Sequence, residues 1–230
     1  MSQTTEIQVM SSAAIKPVYL ELVPEFERTT GHKVVTQWIP GVDLLKRVKE
    51  GESSDIVIMQ SRDIDELTKA GRIQAGSRVD LATSVVGVAV RAGAARPDIS
   101  TADALKRALL AATCISYSTG PSGVYVIQLF ERLGIADALK GKIRQVKGEA
   151  AGAAVARGEA DIAFQQVSEL LPVPGIDFLG PLPAEIQKVT VFSAGLQVTA
   201  KQPDAARALI KFLTSPAAAP VAKKWGMEPA

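Results

Sequence analysis

The sequence predicts an α/β fold, on three observations. Short apolar runs alternate with amphipathic stretches along the chain, as strands and helices do when they take turns. The run at residues 55–59 is apolar on both faces, as a buried parallel strand is. Gly31, Gly51, Gly71, Gly134 and Gly158 stand where amphipathic stretches end, the position of a helix C-cap.

Taken in order, residues 7–10 read as the first strand. Ser11, Ser12, Ala13 and Ala14 turn into a helix over 17–29, with Tyr19, Leu22, Val23 and Phe26 at helical spacing. Pro24 removes one backbone donor and predicts a kink. Residues 34–38 make the second strand. Leu44, Leu45 and Val48 mark the next helix, 55–59 the third strand, and 64–70 a further helix. The stretch 84–90 is a long apolar strand. Ser100 is the expected N-cap of a helix through Leu105 and Leu109. Strands follow at 114–117, 143–146 and 161–164, with helices at 124–133 and 150–157. Four prolines make 172–183 an expected irregular segment around Phe178. Residues 189–192 and 195–198 read as one broken strand, and Pro203-Asp204 opens the last long helix.

Composition excludes several functions. Of 230 residues, 26 are Lys or Arg and 24 Asp or Glu, a net charge of +2 with no like-charge run. That argues against a nucleic-acid binder, which needs a concentrated basic face. A single Cys forbids an intrachain disulfide and all but forbids a cysteine-built zinc site. A single His argues against a hydrolase triad. No metal and no cofactor are expected. No stretch approaches 18 consecutive apolar residues, so no membrane insertion is expected. The start shows no basic, apolar, small-residue leader, which points to a cytoplasmic protein, or a periplasmic one if a leader has been trimmed.

In open α/β sheets, ligands sit beyond the carboxyl ends of the strands, where helix N-termini point. That rule nominates Ser11 and Ser12; Ile39, Pro40 and Gly41; Gln60, Ser61 and Arg62; Ser118, Thr119, Gly120, Ser122 and Gly123; and Gln165 and Gln166. Hydroxyls, amides and helix-start N–H groups hold an anion without a full counter-charge. The serines read equally well as caps and turn residues. Glycines in the 118–123 loop permit close ligand approach. Arg62 is the best candidate carboxylate clamp. Tyr125 either reaches the ligand or packs in the core, and Trp38 either walls the site or lies beneath it. His32 reads as an exposed turn residue and Cys114 as a buried inert thiol. Glu169 caps a helical turn or, less in keeping with its position, serves as a base.

Five segments resemble the type II periplasmic-binding-protein family, and most closely its molybdate-binding-protein-like branch. They are the opening strand with Ser11 to Ile15 and then Glu27 to Val34; Gly51 to Met59, a Gly-x-x-x-Asp strand; Ala70 to Ile73 with Gly76 to Arg78; Ala156 to Phe164; and Pro203 to Pro216 with Gly226-Met227. Together they span nearly the whole chain in order. The resemblance implies two α/β lobes, residues 1–84 plus 195–230 and residues 85–194, joined by two crossover strands with an inter-lobe cleft. Because both segments follow strands and open helices, Ser11 and Ser12 of one lobe and Thr119, Gly120, Ser122 and Gly123 of the other are expected to converge on one anion.

Molybdate-binding relatives carry a Ser-Ser-Gly turn after the second strand and a Tyr after a later strand. Here Trp38-Ile39-Pro40-Gly41 and Phe164-Gln165-Gln166 replace them. Ile39 and Pro40 bring no hydroxyl, and Pro40 no N–H. A tetrahedral oxyanion is therefore disfavoured, and the longer Gln165 or Gln166, of which only one can face the site, suits a larger organic anion. The expected function is a solute-binding protein capturing a small organic anion, a carboxylate and not molybdate. The alternative is a carboxylate isomerase resembling aconitate isomerase, for which the sequence shows no clear base. The protein is expected to be a monomer, and an ABC permease is a partner the sequence does not itself support.

Overall fold

The structure is a computed structural model that describes residues 5–230. In chain order it has β1 (Glu6–Ser11), a 3-10 turn (Ala13–Ile15), α1 (Lys16–Thr30), β2 (Lys33–Trp38), α2 (Gly41–Lys49), β3 (Ile56–Gln60), α3 (Ser61–Lys69) and β4 (Val79–Arg91). Then come α4 (Ala102–Ala111), β5 (Ile115–Ser118), α5 (Pro121–Arg132), α6 (Ala136–Leu139), β6 (Ile143–Val146), α7 (Ala151–Ala156), β7 (Ile162–Gln166) and α8 (Val167–Leu170). The chain finishes with β8 (Ile176–Pro181), a second 3-10 turn (Ala184–Ile186), β9 (Val189–Leu196), α9 (Pro203–Leu213), α10 (Ala218–Lys224) and β10 (Met227–Pro229). It divides into two compact units, residues 1–84 with 190–230 and residues 85–189, so the chain passes between them within β4 and at the start of β9.

In the first unit the strand order is β2-β1-β3-β9-β4, with β10 paired to β4. β1 runs parallel to β2 and β3, so their carboxyl ends share one edge. Alternation along β3 makes two cores. Ile56 and Ile58 pack with Tyr19, Phe26, Leu209 and Leu213 of α1 and α9. Val57 and Met59 pack with Leu44, Val48, Ile64 and Leu67 of α2 and α3. Both faces of β3 are thus covered, which is why its sequence is apolar throughout. β2 lies at the end of the strand order and alternates exposed and half-buried residues. α1 ends where Gly31, at φ +74°, donates its N–H to the Glu27 carbonyl, and it continues through Pro24 as one helix.

In the second unit the order is β4-β7-β5-β6, with β8 beside β4. β5 is parallel to β6 and β7. Val86, Val88, Ile115 and Phe164 pack with α4 and α5, while Ala89 and Ala163 face Ala151, Val155 and Leu170. The small residues on the second face let α7 lie close to the sheet.

Several expectations are corrected. The helix cap is Thr101, whose hydroxyl accepts from Ala104 N–H at 3.1 Å; Ser100 instead binds Asp98 through its N–H. The proline-rich segment contains a real strand, β8, which pairs antiparallel with β4 across a register shift; a strand tolerates proline at its end, and Pro181 is its last residue. β9 is one continuous strand. α3 begins at Ser61 and α5 at Pro121, three residues earlier than the apolar pattern indicates, because their first turns are polar or small. α6, α10 and β10 are too short to show a period.

Candidate functional site: two donor edges

The carboxyl edge of β2-β1-β3 brings together the first set of nominated residues. Ser11 is fully buried; its carbonyl accepts from Ile39 N–H at 2.9 Å and its hydroxyl donates to the Ser12 carbonyl at 3.1 Å. Ser12 heads the 3-10 turn that leads into α1. Its N–H donates to the Ile58 carbonyl at 2.9 Å, but its hydroxyl caps nothing. That hydroxyl is buried, on a residue only 5% exposed, and has no hydrogen-bond partner among the described residues. A buried hydroxyl without a partner is uncommon; those of Ser84 and Ser215 share this state, but of the three only Ser12 lies at a carboxyl edge of the parallel strands.

Pro40 is exposed and precedes α2, of which Gly41 is the first residue. The β2 end therefore offers no hydroxyl: Ile39 N–H is taken by Ser11, Pro40 has none, and its donors are the helix-start N–H groups of α2. Ser61 and Arg62 are the first two residues of α3. Arg62 extends into solvent, its side chain 80% exposed and 3.6 Å from Asp63, so its guanidinium is not held in a defined pose. A hollow of about 360 Å³ opens beside Trp38, Ile39 and Pro40. Its rim cations are already paired, Arg47 with Glu52 and Lys46 with Glu50.

In the second unit the ends of β5 and β7 are neighbours. The Ser118 and Ser122 hydroxyls lie 3.3 Å apart, and Gly120 N–H donates to Ser118 Oγ at 3.3 Å. Thr119 and Gly120 are half-buried and Ser122 is 1% exposed. Gly123 is needed for a reason other than ligand approach: a Cβ there would lie 1.7 Å from the Ser118 carbonyl oxygen. The glycine lets the first turn of α5 close onto the end of β5, so the loop is a packed unit and not an open cradle.

Of its two readings, Tyr125 shows the packing one: its hydroxyl donates to the Ile186 carbonyl at 2.5 Å, and the Arg132 guanidinium lies over its ring. Gln165 shares a sheet face with Ala163 and is bonded at both ends of its amide. Its Oε1 accepts from Ala151 N–H, the first of α7, at 2.7 Å, and its Nε2 donates to Glu169 at 2.9 Å. Gln166, buried, faces the opposite side by alternation.

Glu169 is the feature sequence reasoning undervalued. It is half-buried on α8, and burial pushes its carboxyl up to about 7 despite the Gln165 hydrogen bond that pulls it down. Its only sequence signal is its place one turn after the strand-end glutamines. His32 is half-buried, its ring 6.1 Å from Phe26, and Cys114 is half-buried too; both are less simple than their sequence readings. Among the described residues no three His, Cys, Asp or Glu gather as a metal site would require, and no helix is long and apolar enough to cross a membrane.

Parallel strands that end in buried hydroxyls and helix starts are the scaffold of a ligand-binding α/β protein. Residues 7–228 match the family of bacterial extracellular solute-binding proteins, and the chain belongs to that family. Similar proteins include an aconitate isomerase from a Pseudomonas species, 38% identical over 231 residues that cover 98% of this chain and 88% of that protein. A molybdate-binding protein of Azotobacter vinelandii is 28% identical over 243 residues, covering 98% and 90%. A solved structure of the periplasmic molybdate-binding protein from the same organism has a TM-score of 0.82 at 19% identity, covering 97% of this chain and 99% of that one, and shows the periplasmic-binding-protein fold.

Proposed function

We propose that this chain binds a small organic anion, a di- or tricarboxylate in place of molybdate, on its donor edges. The observation that carries the reading is the donor set at the first edge. Ser12 offers an unpaired buried hydroxyl at the head of the α1 segment, while the β2 end brings no hydroxyl: Ile39 N–H is bonded, Pro40 lacks one, and only the helix-start N–H groups of α2 remain. A planar carboxylate is satisfied by a few donors on one side; a tetrahedral dianion needs a closed shell of them. Likeness to an aconitate isomerase at 38% identity supports a polycarboxylate. A thermal-shift screen of citrate, trans-aconitate, succinate, sulfate and molybdate tests it. A ligand at 100 times its Kd stabilises the native state by about 2.7 kcal/mol. Stabilisation by a carboxylate is the expected result, and sub-micromolar molybdate affinity by calorimetry overturns it.

A second reading, a carboxylate isomerase, is favoured by Glu169. A carboxyl held at about 7 both accepts and donates a proton near neutral pH, as movement of a double bond by proton transfer requires. Incubation with cis-aconitate in deuterium oxide, followed by proton NMR, tests it: formation of the trans isomer with deuterium incorporation supports the isomerase, and an unchanged spectrum leaves the binding protein.

A further inference from the structure

The first donor edge carries a cation that neither the strand-end rule nor the family match nominates. Lys16 is the first residue of α1, four positions after Ser12. It is exposed, and its Nζ lies 5.4 Å from the centroid of the Trp38 ring. Trp38 is the direct register partner of Ser11 across β1 and β2, so the ammonium stands over the same carboxyl edge on which the Ser12 hydroxyl lies unpaired. Trp38 is itself held in place. Its ring packs edge-on against Tyr19 at 5.3 Å between centroids, and the Tyr19 hydroxyl is hydrogen-bonded to Thr36 at 2.8 Å.

Helix stability does not explain this lysine. The first turn of a helix favours acidic side chains, and α1 has none there but begins with a cation. The attraction to the indole face and the repulsion from the helix end oppose one another and are of similar size. Among the described residues, no carboxylate lies within ion-pair distance of Lys16, whereas Arg47, Arg78, Arg157 and Lys224 each have an acidic partner. Lys16 thus stands beside a helix start and a buried hydroxyl without a carboxylate paired to it; the acids of this edge, Asp43 and Asp63, lie in the first turns of α2 and α3.

We propose that Lys16 is a ligand-binding residue: braced on Trp38, it takes one carboxylate of a di- or tricarboxylate whose other carboxylate sits on the Ser12 turn. The inference rests on the carboxylate reading above and assigns the charge that selects a polycarboxylate over a compact oxyanion.

Isothermal titration of wild type, Lys16→Gln and Lys16→Arg with trans-aconitate and with sodium sulfate, at low and high salt, tests it. The Gln variant is expected to bind trans-aconitate about ten- to hundredfold more weakly, the loss of one charge-assisted contact. Its affinity should respond less to salt than that of wild type. The Arg variant, which keeps charge and stacking, should recover most of the loss, and the unliganded melting temperatures of all three should agree within about 1–2 °C, because an exposed side chain is being changed. Equal trans-aconitate affinity in wild type and Lys16→Gln overturns the role of Lys16 and leaves the carboxylate function standing. Binding of sulfate but not of trans-aconitate by wild type overturns both.

Discussion

Replacing Glu169 by Gln tests the most perturbed acid of the second unit by its effect on stability alone. The carboxyl is half-buried, accepts one hydrogen bond from Gln165 Nε2 at 2.9 Å, and has no cation within ion-pair distance among the described residues. Burial raises it from 4.5 to about 7. Because the folded protein holds the proton more tightly than the unfolded chain, the neutral form favours folding. That contribution is fully present below about pH 4.5 and is lost as pH rises through about 7. At 1.36 kcal/mol per unit the cost of ionisation above pH 7 is about 3 kcal/mol at most, and less to the extent that water reaches the group. Glutamine is neutral at every pH and keeps an oxygen to accept from Gln165. Glu169→Gln should therefore match wild type near pH 4.5 and exceed it by about 2–3 kcal/mol at pH 8, roughly 4–12 °C in melting temperature for a chain of this size. The readout is the difference between the two proteins, by thermal and urea denaturation from pH 4.5 to 8.5. Wild-type stability alone also contains acids such as Asp80 and Asp161, which are held below their usual range and weaken the protein as pH falls. A difference that is flat across the range, or a variant less stable at pH 8, refutes the reasoning.

Two further outcomes follow from packing. Gly123→Ala sets a methyl 1.7 Å from the Ser118 carbonyl and should cost about 4 kcal/mol or more or prevent folding of the second unit, whereas Gly120→Ala, whose nearest neighbour is Ser118 Oγ at 3.6 Å, should lie within about 1 kcal/mol of wild type; circular dichroism melts of the pair separate the two, and equal stability refutes the steric reading. Asp55→Ala removes a 2%-exposed carboxylate that accepts the backbone N–H groups of Gln8, Lys201 and Gln202 at 2.7–2.8 Å, so urea unfolding should show a loss of about 3–5 kcal/mol, and a loss under 1 kcal/mol would show that those donors find other partners.

Asp55 also shows why the fold was more legible than the site. It is the acid of the Gly-x-x-x-Asp motif, placed one residue before β3, and it ties that strand to β1 and to the start of α9. Asp161 stands one residue before β7 and accepts from Thr113 N–H and Oγ1 at 2.6 Å and from Cys114 N–H at 3.1 Å. The two units repeat one device, an acid at the entrance of a buried strand that gathers the amides of neighbouring segments. Such residues are visible in sequence because backbone geometry forces them into fixed places beside apolar runs. Site residues obey no such period. Ser12, Ser122 and Gln165 look alike as polar residues at strand ends, yet the structure bonds Ser122 to Ser118 and engages Gln165 at both ends of its amide, leaving the Ser12 hydroxyl unpaired. Tyr125 stands at a helix start in sequence, yet its hydroxyl donates to a carbonyl 61 residues away. Lys16 carried one local signal, a cation where the helix dipole favours an acid, but its meaning depends on Trp38, which only the pairing of β1 with β2 brings beneath it. A polar group's function is set by which of its bonds the fold leaves unmade, and that is decided by contacts between residues far apart in the chain.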